Sequence, residues 1–326
     1  MSTNNLLFSI VICTTDRAVS LLKTIDSLQQ INYKNIEVIV VDSSSNSDTV
    51  EMLRAIEKKI NFKLLFFVSG VNNISKSRNI GIKNASGNIV AFIDDDAIPP
   101  PDWIEKLLSI YSLQSDKCAG VGGTVRDMTK PSYPLQYHRG ITNVISNTIP
   151  IRSTDAVNYN QPQGFWYNSL MGANSSYRKD VLEKINGYDE FFEYFLDETD
   201  VCLRIIQSGY EIHYSDVVVD HYPQPSHNRQ DQKHLTCWYS LAKNTTYFTL
   251  KHAFKKMPFP ILIIRLTLLL IYRCLLRILR LKFTHHLSNE ILWKYIQESI
   301  AGVRIGWTAG IGLHKVGTRD NLGNRQ

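Results

Sequence analysis

Three consecutive carboxylates, Asp94, Asp95 and Asp96, follow the apolar run Ile89 to Ile93 and precede Ile98 and prolines 99 to 101. A buried strand that ends in an acidic turn holds hard oxygen ligands at a sheet edge, where a divalent cation and a phosphate can meet. The implied chemistry is metal-assisted work on a phosphate. Asp42 closes a second apolar run, Ile36 to Val41, and Asp16 follows a third, Leu6 to Cys13. Standing alone, an Asp at the head of a Ser-rich turn is a turn former, and an acidic triplet is a solvated turn. Here all of these acids fall at the ends of apolar runs.

The elements that must position them alternate. Leu6 to Cys13 breaks at Thr14-Thr15-Asp16-Arg17, and Val19 to Leu28 then has helical spacing. Ile36 to Val41 predicts a strand, Thr49 to Ile60 a helix, Lys63 to Val68 a strand, Ser75 to Asn84 a helix, and Asn88 to Ile93 the strand that delivers the triplet. Such alternation implies βαβ units and a Rossmann-like, mainly parallel α/β sheet flanked by helices, with ligands beyond the carboxyl ends of the strands. Farther on, Asp102 to Gln114 predicts a helix and Gly120 to Val125 a closely packed strand. Lys130 to Gly164 reads as a long loop over the site. Helices from Lys179 to Ile185 and from near Asp197 then lead to a strand, Glu211 to Val219, that runs into Asp220-His221.

The 326 residues, 44% of them apolar, suffice for one large α/β domain with an appendage. We divide the chain into a catalytic domain, 1–225, and a helical C-terminal region, 226–326. Residues 251–326 carry 13 Lys/Arg against 3 Asp/Glu, so the net charge of +6 resides in the tail. Five scattered cysteines without a C-x-x-C pair argue against a disulfide framework or a structural zinc, and for a reducing compartment. Leu6 to Cys13 has no preceding basic residue and no cleavage site after it, so it reads as a strand rather than a signal core. No motif supports binding to nucleic acid.

Taken together, Thr14-Thr15-Asp16-Arg17, Val40-Val41-Asp42-Ser43-Ser44-Ser45, Ser77-Arg78-Asn79-Ile80-Gly81, Asp94-Asp95-Asp96, Gly172-Ala173-Asn174, Gly187-Tyr188-Asp189-Glu190 and Asp197-Glu198-Thr199-Asp200-Val201-Cys202-Leu203-Arg204 resemble family-two inverting glycosyltransferases of the A-type nucleotide-sugar fold. The likeness covers roughly residues 7 to 225. It implies that Asp94 and Asp96 are the outer acids of a D-x-D element binding the ribose and a Mn²⁺ or Mg²⁺ that carries the diphosphate. Asp96 is then the metal ligand and Asp95 the most dispensable of the three. Asp42 would meet the nucleobase or ribose, with Thr14, Asp16 and Arg17 beside it. Arg78 and Asn79 would meet base or phosphate. Glu198 falls at the position of the catalytic base, flanked by Asp197 and Asp200. The family usually has E-D-x-D there; in this chain Glu198, one methylene longer, stands for the second acid. Three nearby acids should raise at least one pKa toward a useful value, and Asp197 or Asp200 could equally cap the helix. The resemblance also makes His221 a third metal ligand, with His227 as the fallback, and imidazole suits Mn²⁺ better than Mg²⁺. Trp166 and Asn174 would touch the acceptor or donor, although a core role for Trp166 is as well motivated.

Residues 259–281 are apolar but interrupted by Arg265, Arg273, Arg277 and Arg280. At about 100° per residue on a regular helix the four fall within about 120° of one another, which predicts a basic stripe opposite a Leu/Ile face. Such a helix lies in a membrane interface rather than crossing it, or else packs in a core or oligomer interface. The whole reads as a metal-dependent glycosyltransferase that joins a sugar from a nucleotide diphosphate donor, UDP first and dTDP next, to a saccharide or lipid-linked acceptor in surface polysaccharide or glycolipid synthesis. Its expected place is the cytoplasmic face of a membrane, as a peripheral protein, with oligomerisation left open. A nucleotidyltransferase acting on a sugar phosphate and a catalytically inactive membrane adaptor are the competing readings.

Overall fold

The computed structural model describes residues 6–130, 132, 134–151, 158–224, 237–284 and 287–323. Each predicted apolar run forms a strand: β1 (Phe8–Thr14), β2 (Ile36–Asp42), β3 (Lys63–Val68) and β4 (Ile89–Asp94). They alternate with α1 (Ala18–Leu28), α2 (Asp48–Ile56) and α3 (Ile74–Asn84). Next come the short β5 (Ala97–Ile98), α4 (Trp103–Leu113), β6 (Cys118–Asp127), β7 (Leu135–Tyr137), β8 (Gly140–Asn143), β9 (Thr148–Pro150) and β10 (Trp166–Ser169). A 3-10 turn at Gly172–Asn174, β11 (Ser175–Arg178), α5 (Lys179–Lys184), α6 (Asp197–Gln207) and β12 (Glu211–His221) follow.

The main sheet has the order β3-β2-β1-β4-β11-β6-β12-β5, with β7 alongside β6. Strands β1 to β4 are parallel, and β11 enters antiparallel between β4 and β6. The fold is therefore the Rossmann-like α/β arrangement, with a mostly parallel sheet flanked by helices. Alternate side chains of β1, Phe8, Ile10 and Ile12, pack against Leu21, Ile25 and Leu28 of α1 and Trp103, Ile104 and Leu107 of α4 in one apolar core. Register then does the positioning: Thr14 lies beside Asp42, and Cys13 beside Asp94. On the far side, Ala97 pairs with His221, which brings the turn after the triplet to the end of β12.

The expected long loop over 130–164 is in part ordered structure. β7 extends β6, and β8, β9 and β10 form a separate three-stranded sheet. Their partners are distant or antiparallel neighbours rather than a local apolar pattern, so periodicity alone does not reveal them. Contacts group the chain into two compact units, one of residues 1–142, 148–193 and 197–224, the other of 143–147, 194–196 and 225–326.

In the second unit the helices are α7 (Trp238–Ala253), α8 (Phe259–Leu270), α9 (Arg277–Thr284) and α10 (Asn289–Gly323). A π-helical stretch, Ile271–Leu276, joins α8 to α9. The resulting helix, Phe259–Thr284, is long and apolar enough to cross a membrane by length and composition. Of the basic stripe predicted for it, three arginines are exposed and one is not. The wider π turn breaks the regular 100° step. Arg273 turns inward, while Arg265, Arg277 and Arg280 share the exposed surface with Ile264, Leu268 and Tyr272. α10 packs closely on α7, because a Cβ on Gly302 would lie 2.3 Å from the Tyr239 carbonyl and one on Gly306 2.3 Å from that of Lys243. Gly306→Ala is therefore expected to push the helices apart and lower stability by about 1–3 kcal/mol, read as a drop in the thermal midpoint, since overpacking of backbone cannot relax by a rotamer change.

Candidate active site

The acidic turn is organised by cations and hydroxyls around it. Thr14 Oγ1 donates to Asp95 Oδ2 (2.6 Å), and Arg17 Nη1 donates to Asp95 Oδ1 (2.8 Å) and Asp96 Oδ2 (3.2 Å). Asp95, expected to be the most dispensable of the three, is a buried anchor of the turn. Burial pushes its carboxyl up to about 6 against the pull of Arg17. Burial acts on Asp96 in the same sense, but the His221 hydrogen bond and charge, Arg17 and the Gln224 amide overcome it and hold that carboxyl below the usual range.

Asp94, Asp96 and His221 converge, with one potential ligand atom from each within 4.8 Å of the others. His221 Nε2 is 2.9 Å from Asp96 Oδ1 and 3.7 Å from Asp94 Oδ2, while Nδ1 faces Gln136 Oε1 at 2.8 Å. In the neutral tautomer with Nδ1 donating to that amide oxygen, the Nε2 lone pair and a carboxylate oxygen face each other, an arrangement that a cation between them satisfies; in the protonated form Nε2 donates to Asp96 instead. Two ligands at right angles on an ion with bonds of about 2.1 Å lie about 3 Å apart, so this donor set fits Mn²⁺ or Mg²⁺. The Gln136 contact is the outer-shell partner that a metal-binding imidazole normally has. Gln136 sits on β7, in the segment expected to be loop, and nothing local in the sequence marks it. His227 lies outside the described residues.

Asp42 and Asp16 close the same edge. Asp42 is buried at the end of β2 and accepts from the Ser44 amide (2.9 Å). Asp16 adopts a left-handed φ of 53°, donates its N–H to Ser44 Oγ (2.7 Å) and accepts from the Ser45 amide (3.0 Å), which ties the loops after β1 and β2 together. Beside them Asp16, Arg17, Asn46, Asp48 and Thr49 line a cleft of about 190 Å³.

The second cluster is built on α6. Arg78 of α3, buried at 3% exposure, pairs with Asp197 and donates through Nη2 to Glu198 Oε1 (2.9 Å); its guanidinium lies over the Tyr188 ring at 5.2 Å. The fork expected to meet base or phosphate is committed to these two acids. Burial, with the adjacent Glu198 charge, pushes the Asp197 carboxyl up to about 7, so the raised acid of the cluster is Asp197. Glu198 has a partly exposed side chain (25%) and is the acid of the cluster with access to an incoming group. Asp200 points into the interior, where it accepts from Arg204 Nε (2.6 Å), and Arg204 in turn holds the Ile185 and Gly187 carbonyls. Asp200, expected as a flanking acid of the base, is thus used in the interior to hold Arg204.

Two further expectations meet structural uses. Asn79 donates to the Tyr188 carbonyl and accepts from the Tyr188 amide, clamping the 187–190 turn. Asn174, fully buried, donates to the Thr124 carbonyl (3.0 Å) and accepts from Trp103 Nε1 (2.9 Å), so it joins strands to α4 and has no face for an acceptor. Trp166 is half-buried at the start of β10, edge-to-face with Phe165. Weight placed on Asn174 belongs instead to its neighbour Gly172: a Cβ there would lie 2.3 Å from both Arg78 Nη2 and Glu198 Oε1. Cys13, with its thiol pushed up to about 12 by burial, feels charges from both clusters, Arg78 and Asp197 on one side and Asp94 and Asp95 on the other.

A family model described as Glycosyl transferase family 2 matches residues 9–185, more than half of the chain, and a second, described as the N-terminal domain of galactosyltransferase, matches residues 153–228. The chain belongs to glycosyl transferase family 2, and it is a glycosyltransferase. Among curated relatives, a glucosyl-dolichyl phosphate glucuronosyltransferase of Haloferax volcanii is 30% identical over 228 residues, 64% of this chain and 66% of that protein. A GalNAc(5)-diNAcBac-PP-undecaprenol beta-1,3-glucosyltransferase of Campylobacter jejuni is 33% identical over 93 residues, 27% of this chain and 29% of that protein. The matched stretch thus spans less than two thirds of either relative's own length. A mannosyltransferase from Pyrobaculum calidifontis, solved with GDP-Man and Mn²⁺, aligns over 98% of this chain and 81% of its own at a TM-score of 0.54 and 17% identity, a likeness of fold.

Gly172→Ala should separate Arg78 from Glu198 and reduce turnover by about 10-fold or more, because a displaced active-site side chain loses rate steeply with distance. Circular dichroism of the variant should match wild type, and unchanged turnover would refute the packing role.

Proposed function

We propose that this protein transfers a sugar, with inversion, from a nucleotide diphosphate donor to the hydroxyl of a lipid-linked saccharide acceptor, with UDP as the donor nucleotide. The observation that carries the reading is the pairing of an Asp94, Asp96 and His221 ligand set with a separately held, partly exposed Glu198. Mn²⁺ or Mg²⁺ bound at the first would neutralise charge that builds on the departing diphosphate. Asp42, Asp16 and the cleft beside Arg17 would receive the nucleoside. Glu198 takes the proton of the attacking hydroxyl, and the buried Arg78 keeps it oriented, so Arg78 is a positioning residue. Names of the relatives, one glycosylating a dolichyl phosphate-linked sugar and one an undecaprenol-linked glycan, support a lipid-linked acceptor.

The experiment that tests this measures sugar transfer and Mn²⁺-dependent nucleotide binding together. Glu198→Gln should retain donor binding and lose about 10²- to 10⁴-fold in turnover, since an amide cannot accept the proton. Intact turnover in that variant would remove Glu198 from the role of base. Release of pyrophosphate instead of nucleoside diphosphate would favour the nucleotidyltransferase reading.

We also propose that the 226–326 region holds the enzyme on the membrane surface at its cytoplasmic face. The exposed Ile264, Leu268 and Tyr272, at 60%, 60% and 71%, stand among exposed Arg265, Arg277 and Arg280, the combination of apolar insertion and basic charge that an anionic interface attracts. Replacing Ile264 and Leu268 with Asp should release the protein from anionic liposomes in a flotation assay, and undiminished flotation would refute this mode of attachment.

A further inference from the structure

Arg273 differs from the other arginines of its helix. It lies in the π-helical stretch, and π turns inserted into α-helices recur at functional sites. Nη1 donates to Ser146 Oγ (2.9 Å) and Thr245 Oγ1 (3.1 Å), and Nη2 donates to the Ser146 carbonyl (2.5 Å). Every one of these partners is neutral, and no carboxylate among the described residues perturbs the guanidinium. Burial pulls its pKa down to about 10, which leaves it charged at neutral pH. A desolvated cation without a counter-ion is unfavourable, and for the same reason it attracts an anion that can reach it.

The geometry around it suits a phosphate. Three of the five guanidinium N–H groups are used, and the remaining Nε–H and Nη2–H form the side-on edge that grips an oxyanion in two parallel bonds. Ser146 and Thr245 are fully buried and fix the guanidinium from behind, which leaves the fork edge of the half-buried Arg273 for the oxygens of a phosphate ester. Ser146 is fully buried and held at a left-handed φ of 66°, a conformation that a non-glycine residue keeps only under constraint. One turn along α7 from Thr245, the buried Thr249 hydroxyl has no partner among the described residues. Asn244, the residue before Thr245, donates to the Tyr194 and Phe195 carbonyls (2.5 and 3.0 Å), in the backbone that leads into Asp197 and Glu198. Beside Arg273 in the chain, Ile271, Tyr272, Leu275 and Leu276 are 38%, 71%, 41% and 51% exposed.

We propose that Arg273, with Ser146 and Thr245, is the subsite for the phosphate of a lipid-linked acceptor, whose hydrocarbon chain runs along Ile271, Tyr272, Leu275 and Leu276. The proposal rests on the reading of transfer to a lipid-linked acceptor. The same chemistry is offered by ordinary phospholipid headgroups, and the test separates the two.

Full-length protein is floated with phosphatidylcholine vesicles doped with a polyprenyl phosphate, with the parent polyprenol, or with phosphatidylglycerol at matched charge. Wild type should prefer the polyprenyl phosphate over the alcohol by about 10-fold or more, and over phosphatidylglycerol, because a charge-assisted bidentate contact is at stake. Arg273→Gln should abolish the preference, and Arg273→Lys, which keeps the charge without the fork, should restore only part of it. If Arg273→Gln does not fold, as judged by its thermal melt, Ser146→Ala takes its place with a weaker preference expected. Equal flotation with phosphate and alcohol, equal flotation with phosphatidylglycerol, or an undiminished preference in the folded variant would each overturn the proposal. The vesicle assay needs no sugar donor, so a wild type that fails to bind nucleotide sugar would defeat the transferase chemistry while leaving this result to stand separately.

Discussion

Negative charge concentrated at one sheet edge is the constraint on which the rest of this molecule depends. Pairing of β1 with β2 and β4 lines up Thr14, Asp42 and Asp94, and the turn that follows adds Asp95 and Asp96. Carboxylates this close repel one another, and burial deepens the penalty. Each must be neutralised, hydrogen-bonded or protonated. Arg17 answers for Asp95 and Asp96, and Arg78 for Asp197 and Glu198. The ligand atoms of Asp94, Asp96 and His221 converge at the same edge, where an exchangeable cation can add to the charge that Arg17 supplies.

The same constraint sorts the acids by role. Asp95 and Asp200 are spent on the fold, one fastening the turn to β1 and the other fastening Arg204 to the 185–187 turn. Asp197 shares a buried guanidinium and sits high on the pH scale. Glu198, next to it, receives a single bond from Arg78 and keeps an exposed side. This combination of fixed direction and open access is what the proposed role of base requires, and Gly172 supplies the space for it by having no side chain.

The second unit repeats the pattern in a less polar setting. α7 buries Asn244, Thr245, Thr246 and Thr249, an unusual load for a helix in a region with so much apolar sequence. Buried polar groups persist where they have partners or work to do. Asn244 holds the backbone before α6, where Phe195 and Leu196 both have left-handed φ, and Thr245 meets Arg273. The stretch is hence more than an apolar anchor.

The alternation of β1 to β4 with three helices, the carboxyl-edge position of Asp16, Asp42 and Asp94 to Asp96, and the α6 acids were all legible in the chain. Strand length and apolar periodicity are local properties, and an acid after a buried strand has one place to go. Which acid serves chemistry and which serves the fold was not legible. Asp197, Glu198 and Asp200 are within one helical turn of each other, and only the side chains packed against them, Arg78 and Arg204, separate their tasks. The same holds for Asn79 and Asn174, whose amides are consumed by carbonyls distant in sequence. It holds also for Arg273: a regular helix would have left it on the exposed stripe, whereas within the π-helical stretch it is half-buried against Ser146 and Thr245. Short-range pattern determined where the edge lies, and long-range contact decided what each residue on it does.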